Sequence, residues 1–82
     1  MGKKRKVFEH VKFPNILRQT REALGKTPVE AAAALRVTVA MIFRYESGMV
    51  GPSALRVPYM EEFYGKKLYD LYPELFIGVQ EE

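Results

Sequence analysis

The stretch TPVEAAAALRVTVAMIFRYESG, residues 27–48, contains two helix starts and one helix stop. At the first start, the Thr27 hydroxyl can accept the Glu30 amide proton, and the Glu30 carboxylate can reach back to the Thr27 amide. Pro28 suits the first helical position, because its fixed φ is already helical and its missing N–H is not needed there. Four alanines follow; they favour helix and let a neighbouring element come close. Thr38 is a second N-cap, and the run it opens closes at Gly48. The pattern predicts helices over 28–34 and about 38–47, with Leu35, Arg36 and Val37 between them. So short a connection suits two helices at a steep angle, although any small bundle also has short connections.

Helical periods dominate the flanks. FPNILRQTREALG opens with Pro14 and closes at Gly25, and Ile16, Leu17, Thr20, Ala23 and Leu24 fall near one face. MVGPS is a loop punctuated by Gly51 and Pro52. Pro58 opens PYMEEFY, which ends at Gly65, and LYDLY is a last helical turn halted by Pro73. VFEHVKF, residues 7–13, alternates loosely enough for a short strand. ELFIGV, residues 74–79, is apolar enough for a strand or a packing segment, and FIGV could pair with VFEHVKF. MGKKRK reads as unstructured, and there is no internal repeat.

Composition removes several function classes. At 82 residues the chain is one small domain with a limited core. It has no cysteine and a single histidine, His10, which leaves no disulfide framework and no Cys- or His-cluster metal site. Neither a cofactor nor a small-molecule ligand is expected. The basic start is followed by a segment too short and too charged for a secretory signal. No apolar run approaches the ~20 residues of a membrane span, so the expectation is a soluble intracellular protein without a membrane partner. No nucleophile–base–acid set, phosphate-cradling glycine loop or metal set points to an enzyme. Glu61 and Glu62 are neighbours on a helix, point to different sides and make no carboxylate pair.

Charge is distributed unevenly. Residues 1–44 hold ten Lys/Arg against three Glu, a net +7, whereas residues 45–82 carry a net −4. The first half can face a polyanion and the second cannot. Within it, KKRK reads as a flexible arm that follows a DNA backbone or enters a groove, as a nuclear localisation pattern, or as a solvated tail.

The run GKTPVEAAAALRVTVAMIFRYESG resembles the helix-turn-helix of the Cro/C1-type repressor family, also called the XRE family. The matching positions are Gly25, Thr27, Ala32, Leu35, Val37, Thr38, Ile42, Arg44, Tyr45, Glu46, Ser47 and Gly48. LRQTRE at 17–22 matches the family's first helix, and the likeness continues through Pro52, Ser53 and Gly65, covering roughly 16–72. Three positions depart from the pattern. Pro28 stands where the family usually has Gln, Arg36 where the turn often has Gly, and Val39 and Ala40 where polar base readers are usual. The resemblance implies an all-α, five-helix lambda-repressor-like domain over 13–72. A basic arm over 1–12 and a tail over 73–82 complete it, with short strands possible at either end.

It also implies a sequence-specific transcriptional regulator of the phage or bacterial repressor type, cytoplasmic and nucleoid-associated, and nuclear only if KKRK is a localisation signal. Its partners would be double-stranded DNA with a two-fold operator and a second copy of the chain. Helix 38–47 would enter the major groove, Ile42 and Tyr45 inward with Met41 flanking, and Val39, Ala40, Phe43, Arg44 and Ser47 outward. Arg44 can bond bidentately to guanine, and Val39 and Ala40 can press on thymine methyls. Base contacts are thus expected from Val39, Ala40, Phe43 and Arg44. Backbone contacts are expected from Thr27, Pro28, Arg36, Thr38, Ser47, Lys3, Lys4, Arg5 and Lys6. Arg21 and Glu46 occupy the positions of a partly buried structural ion pair in the family. Between Tyr59 and Ile77 the large apolar groups exceed what so small a core needs, which points to a dimer interface or to a tail folded back. The alternative reading is a protein-binding helix-turn-helix module, antitoxin-like or anti-repressor, because Val39 and Phe43 could also form an apolar protein-binding patch.

Overall fold

The computed structural model describes residues 11–76, which form five helices: α1 (Leu17–Ala23), α2 (Pro28–Leu35), α3 (Val39–Ser47), α4 (Val57–Tyr64) and α5 (Leu68–Leu71). The fold is all-α, as expected, and among the described residues there is no strand. Lys12 and Phe13 direct both their amides at one acceptor, the Gly48 carbonyl, at 3.0 Å each. Convergence on one carbonyl is the opposite of a ladder, so the suggested N-terminal strand is corrected over 11–13; residues 7–10 and 77–79 lie outside the described residues.

The local signals of the central pair act as read. Thr27 Oγ1 accepts from Glu30 N at 3.1 Å, and Thr27 N donates to Glu30 Oε1 at 2.8 Å. That second bond holds the exposed Glu30 carboxyl below its ordinary pKa. Thr38 Oγ1 accepts from Met41 N at 3.1 Å, and Gly48 closes α3 in the left-handed conformation. Arg36 also adopts a left-handed φ of 62°, and its amide and that of Val37 both reach the Ala32 carbonyl.

Helix α1 departs from expectation at both ends. It starts at Leu17 rather than Pro14, because Asn15 Oδ1 accepts from Leu17 N at 3.0 Å. It stops at Ala23, so Ala23 and Leu24 are exposed instead of facing the core; Leu17, Thr20 and Arg21 are its buried residues.

The core is Leu17, Ala31, Ala32, Leu35, Ile42, Tyr45, Met60, Tyr64, Leu71 and Tyr72. Ala31 and Ala32 are the small residues through which α2 packs on α3 and α4. Most of the apolar surplus in the second half is absorbed within the chain. Met60, Tyr64, Leu71 and Tyr72 are buried, and Tyr59, Phe63, Leu68 and Phe76 pack against them. Tyr69 and Leu75 remain exposed. Glu61 Oε2 accepts from Leu68 N at 2.8 Å and so caps α5 from α4.

Burial raises the phenol pKa values of Tyr64 and Tyr72 well above the ordinary 10. The folded protein keeps these protons where the unfolded chain has lost them. It therefore binds more protons, and stability falls as pH rises past about 10, by at most about 1.4 kcal/mol per pH unit for each phenol. Thermal melts across this range should decline above pH 10, and Tyr64→Phe or Tyr72→Phe should each flatten the decline. A decline as steep in both variants contradicts the assignment.

Candidate nucleic-acid interface

Helix α3 is fixed on one side and open on the other. Ile42 and Tyr45 are buried, while Ala40, Phe43, Arg44 and Ser47 are exposed at the three- and four-residue spacing of one helical face. Phe43 keeps 51% of its surface in solvent. Val39 was expected outward but is half-buried and packed against the core, so at most its edge belongs to this face.

Behind that face, Arg21 and Glu46 come together. Arg21 Nε donates to Glu46 Oε2 at 2.6 Å and Nη2 to Glu46 Oε1 at 3.1 Å. The side chains are only 7% and 5% exposed. Arg21 Nη1 donates to the Lys26 carbonyl at 3.0 Å, which ties the α1–α2 loop to the same fork. Hydrogen bonding to Glu46 raises the Arg21 pKa further above an already high value, so the guanidinium stays charged wherever the domain is folded. A second tie comes from Asn15, whose Nδ2 donates to the Tyr45 carbonyl at 2.9 Å and to the Phe13 carbonyl at 2.8 Å. One asparagine thus links the start of α1 to the end of α3.

The expected backbone-contact residues divide. Thr27 and Thr38 are exposed and use an oxygen lone pair for capping, so each hydroxyl proton is still available to a phosphate. Pro28 shares a surface depression with Phe43 and Ser47, but contributes no N–H. Ser47 Oγ donates to the Arg44 carbonyl at 3.1 Å, so its proton is engaged within α3. Arg36 lies with its guanidinium 5.0 Å from the Tyr59 ring centroid. It lines a different depression, with Ala33, Ala34, Tyr59, Glu62 and Phe63, and is not brought to the α3 face there. Lys3, Lys4, Arg5 and Lys6 lie outside the described residues. Among the described residues, no group of three His, Cys, Asp or Glu could hold a metal ion, and no helix is long and apolar enough to cross a membrane.

The sequence model of the helix-turn-helix family matches residues 17–71, from the first residue of α1 to the last of α5. The chain belongs to the Cro/C1-type helix-turn-helix family. The matched span lies one residue inside the expected 16–72 at each end. No curated protein and no solved structure matches the chain. The family is one of DNA-binding regulatory domains and not of enzymes. Its two helices with a tight connection are α2 and α3, with Arg36 in the turn position where the family often has Gly. Two features outside the expected set belong to the site's frame. Asn15 was missed because its acceptor, the Tyr45 carbonyl, is thirty residues away and nothing local marks it. Arg18 lines the same depression as Pro28, Phe43 and Ser47, a neighbourhood set by where α1 meets α3 and marked by nothing local.

Proposed function

We propose that this protein is a sequence-specific transcriptional regulator of the repressor type, which reads double-stranded DNA with α3 in the major groove. The observation that carries the reading is the exposed stripe Ala40, Phe43, Arg44 and Ser47 on a helix locked from behind by a buried ion pair. A base-reading helix must be both accessible and rigid, since a misplaced hydrogen-bond fork loses its discrimination. Arg44 addresses a guanine, worth about 1–3 kcal/mol against a wrong base. Ala40, Phe43 and the edge of Val39 press on thymine methyls. The hydroxyls of Thr27 and Thr38 donate to phosphates, beside Pro28 and the lysine-rich arm, with Ser47 and Arg36 joining after a side-chain rotation. Two copies bind a two-fold operator in the cytoplasm, at the nucleoid.

Phe43, half in solvent, also favours a second reading in which this face docks a protein and the DNA contacts are unselective. Selection from random duplexes separates the two. The repressor reading predicts recovery of a two-fold sequence, with one position relaxed by Arg44→Ala. Recovery of no preferred sequence, with binding that only tracks salt, supports the second reading.

A further inference from the structure

We propose that Arg18 is a phosphate-binding residue on the flank of α3, held in reserve by Glu22; the proposal rests on the reading of α3 as the DNA face. Arg18 Nε and Glu22 Oε2 are 3.0 Å apart, one turn apart on α1, with side chains 72% and 55% exposed. Arg18 lines the same depression as Pro28, Phe43 and Ser47, where Arg21 and Glu46 also reach the surface. A duplex laid on the exposed stripe of α3 therefore has this depression at its border, where the strand backbone runs.

Two arginines stand there, and only one is available. All three nitrogens of the Arg21 guanidinium already donate, two to Glu46 and one to the Lys26 carbonyl, in a nearly buried setting. Turning it to a phosphate would strand the Glu46 carboxylate. Among the described residues Arg18 donates one hydrogen bond, to Glu22, and with its side chain 72% exposed it has further N–H donors facing solvent. An exposed pair of this spacing is weakly held, whereas a phosphate offers a doubly accepting, charge-assisted partner. Exchange of the carboxylate for the phosphate is favourable, and it leaves Glu22 as a negative charge beside the DNA. Glu22 thus acts as a brake: it occupies Arg18 in the free protein and repels the backbone in the complex.

The test is a salt titration of wild type, Arg18→Gln, Glu22→Gln and the double variant on a labelled mixed-sequence duplex, with thermal melts of all four. Arg18→Gln should reduce the slope of log K against log[salt] by about 0.9, so that its affinity falls about 3.5-fold less than that of wild type between about 50 and 200 mM salt. Glu22→Gln should bind more tightly than wild type, and adding Arg18→Gln should remove most of that gain. Melting temperatures should change little, as both side chains are exposed. An unchanged slope in Arg18→Gln overturns the proposal, and Glu22→Gln without tighter binding overturns the brake. If wild type binds duplex and Arg44→Ala alters its selectivity while Arg18→Gln changes nothing, Arg18 fails and the α3 reading stands. If wild type binds no duplex, both fail together.

Discussion

Glu46→Ala should destabilise the domain by about 3–5 kcal/mol, the cost of leaving a buried charge without its partner. Arg21 is 7% exposed at the side chain, and a guanidinium stays protonated even without its carboxylate partner, so it cannot shed the charge. The Lys26 carbonyl would remain as one acceptor, but two charge-assisted bonds would be gone. A domain of 82 residues has only about 4–12 kcal/mol in total, so the variant should lose a large share of its urea midpoint. The double replacement Arg21→Met with Glu46→Leu should lose far less than the two single changes added together, because an apolar pair of similar volume removes both desolvation penalties. Losses that simply add would show that the pair is not coupled. The family position of this pair at the back of α3 gives the result a functional edge: a double variant that is stable but binds DNA less selectively would separate rigidity from stability.

Gly48→Ala should cost about 2–4 kcal/mol, while Gly25→Ala should cost only about 1–2. Both glycines have positive φ, +80° and +70°, so both substitutions carry the left-handed penalty. They differ in surroundings. A Cβ at Gly25 meets nothing within 4 Å, whereas a Cβ at Gly48 would sit 2.7 Å from Val11 Cγ1 and 3.0 Å from the Phe13 carbonyl oxygen. The Phe13 backbone cannot retreat freely, because the amides of Lys12 and Phe13 both donate to the Gly48 carbonyl and Asn15 holds the Phe13 carbonyl. Gly48→Ala should therefore loosen the 11–13 segment from the end of α3, visible as faster amide exchange at Lys12 and Phe13. Equal costs at the two glycines, from denaturant unfolding, would contradict the packing argument.

What could be read from the sequence was what is encoded locally. Thr27 with Glu30, Thr38, and the stops at Gly48 and Gly65 specify their own hydrogen bonds or backbone conformation within a few residues, and each lies where it was placed; Gly25 takes the left-handed conformation one residue beyond the Leu24 cap of α1. Arg36 in the left-handed turn position followed from the family pattern, and the structure adds what accommodates it: two amides converging on the Ala32 carbonyl and the Tyr59 face beneath the guanidinium. Contacts decided by the tertiary path were not legible. Asn15 bridging to Tyr45 and Glu61 capping Leu68 depend on which elements meet, and neither residue type announces its partner. The face of α1 was misjudged because the apolar spacing runs on through Ala23 and Leu24, which are the exposed last residue and cap of the helix, while Arg21 takes an inward position through its pair with Glu46. Val39 was misjudged for a related reason: it opens α3, where the first turn still lies against the core. At the candidate site, Ala40, Phe43 and Arg44 were legible from helical phase alone, whereas the engagement of Ser47 with the Arg44 carbonyl and of Arg36 with Tyr59 was not.

The claim that the exposed face of α3 is the DNA face is tested most directly by following backbone amide resonances while a duplex is titrated in. The largest changes should fall on Ala40, Phe43, Arg44 and Ser47, with a second group at Thr27 and Arg18 and little at Tyr69, Asp70 and Glu74. Changes confined to the lysine-rich N-terminal residues, with α3 unmoved, would contradict it.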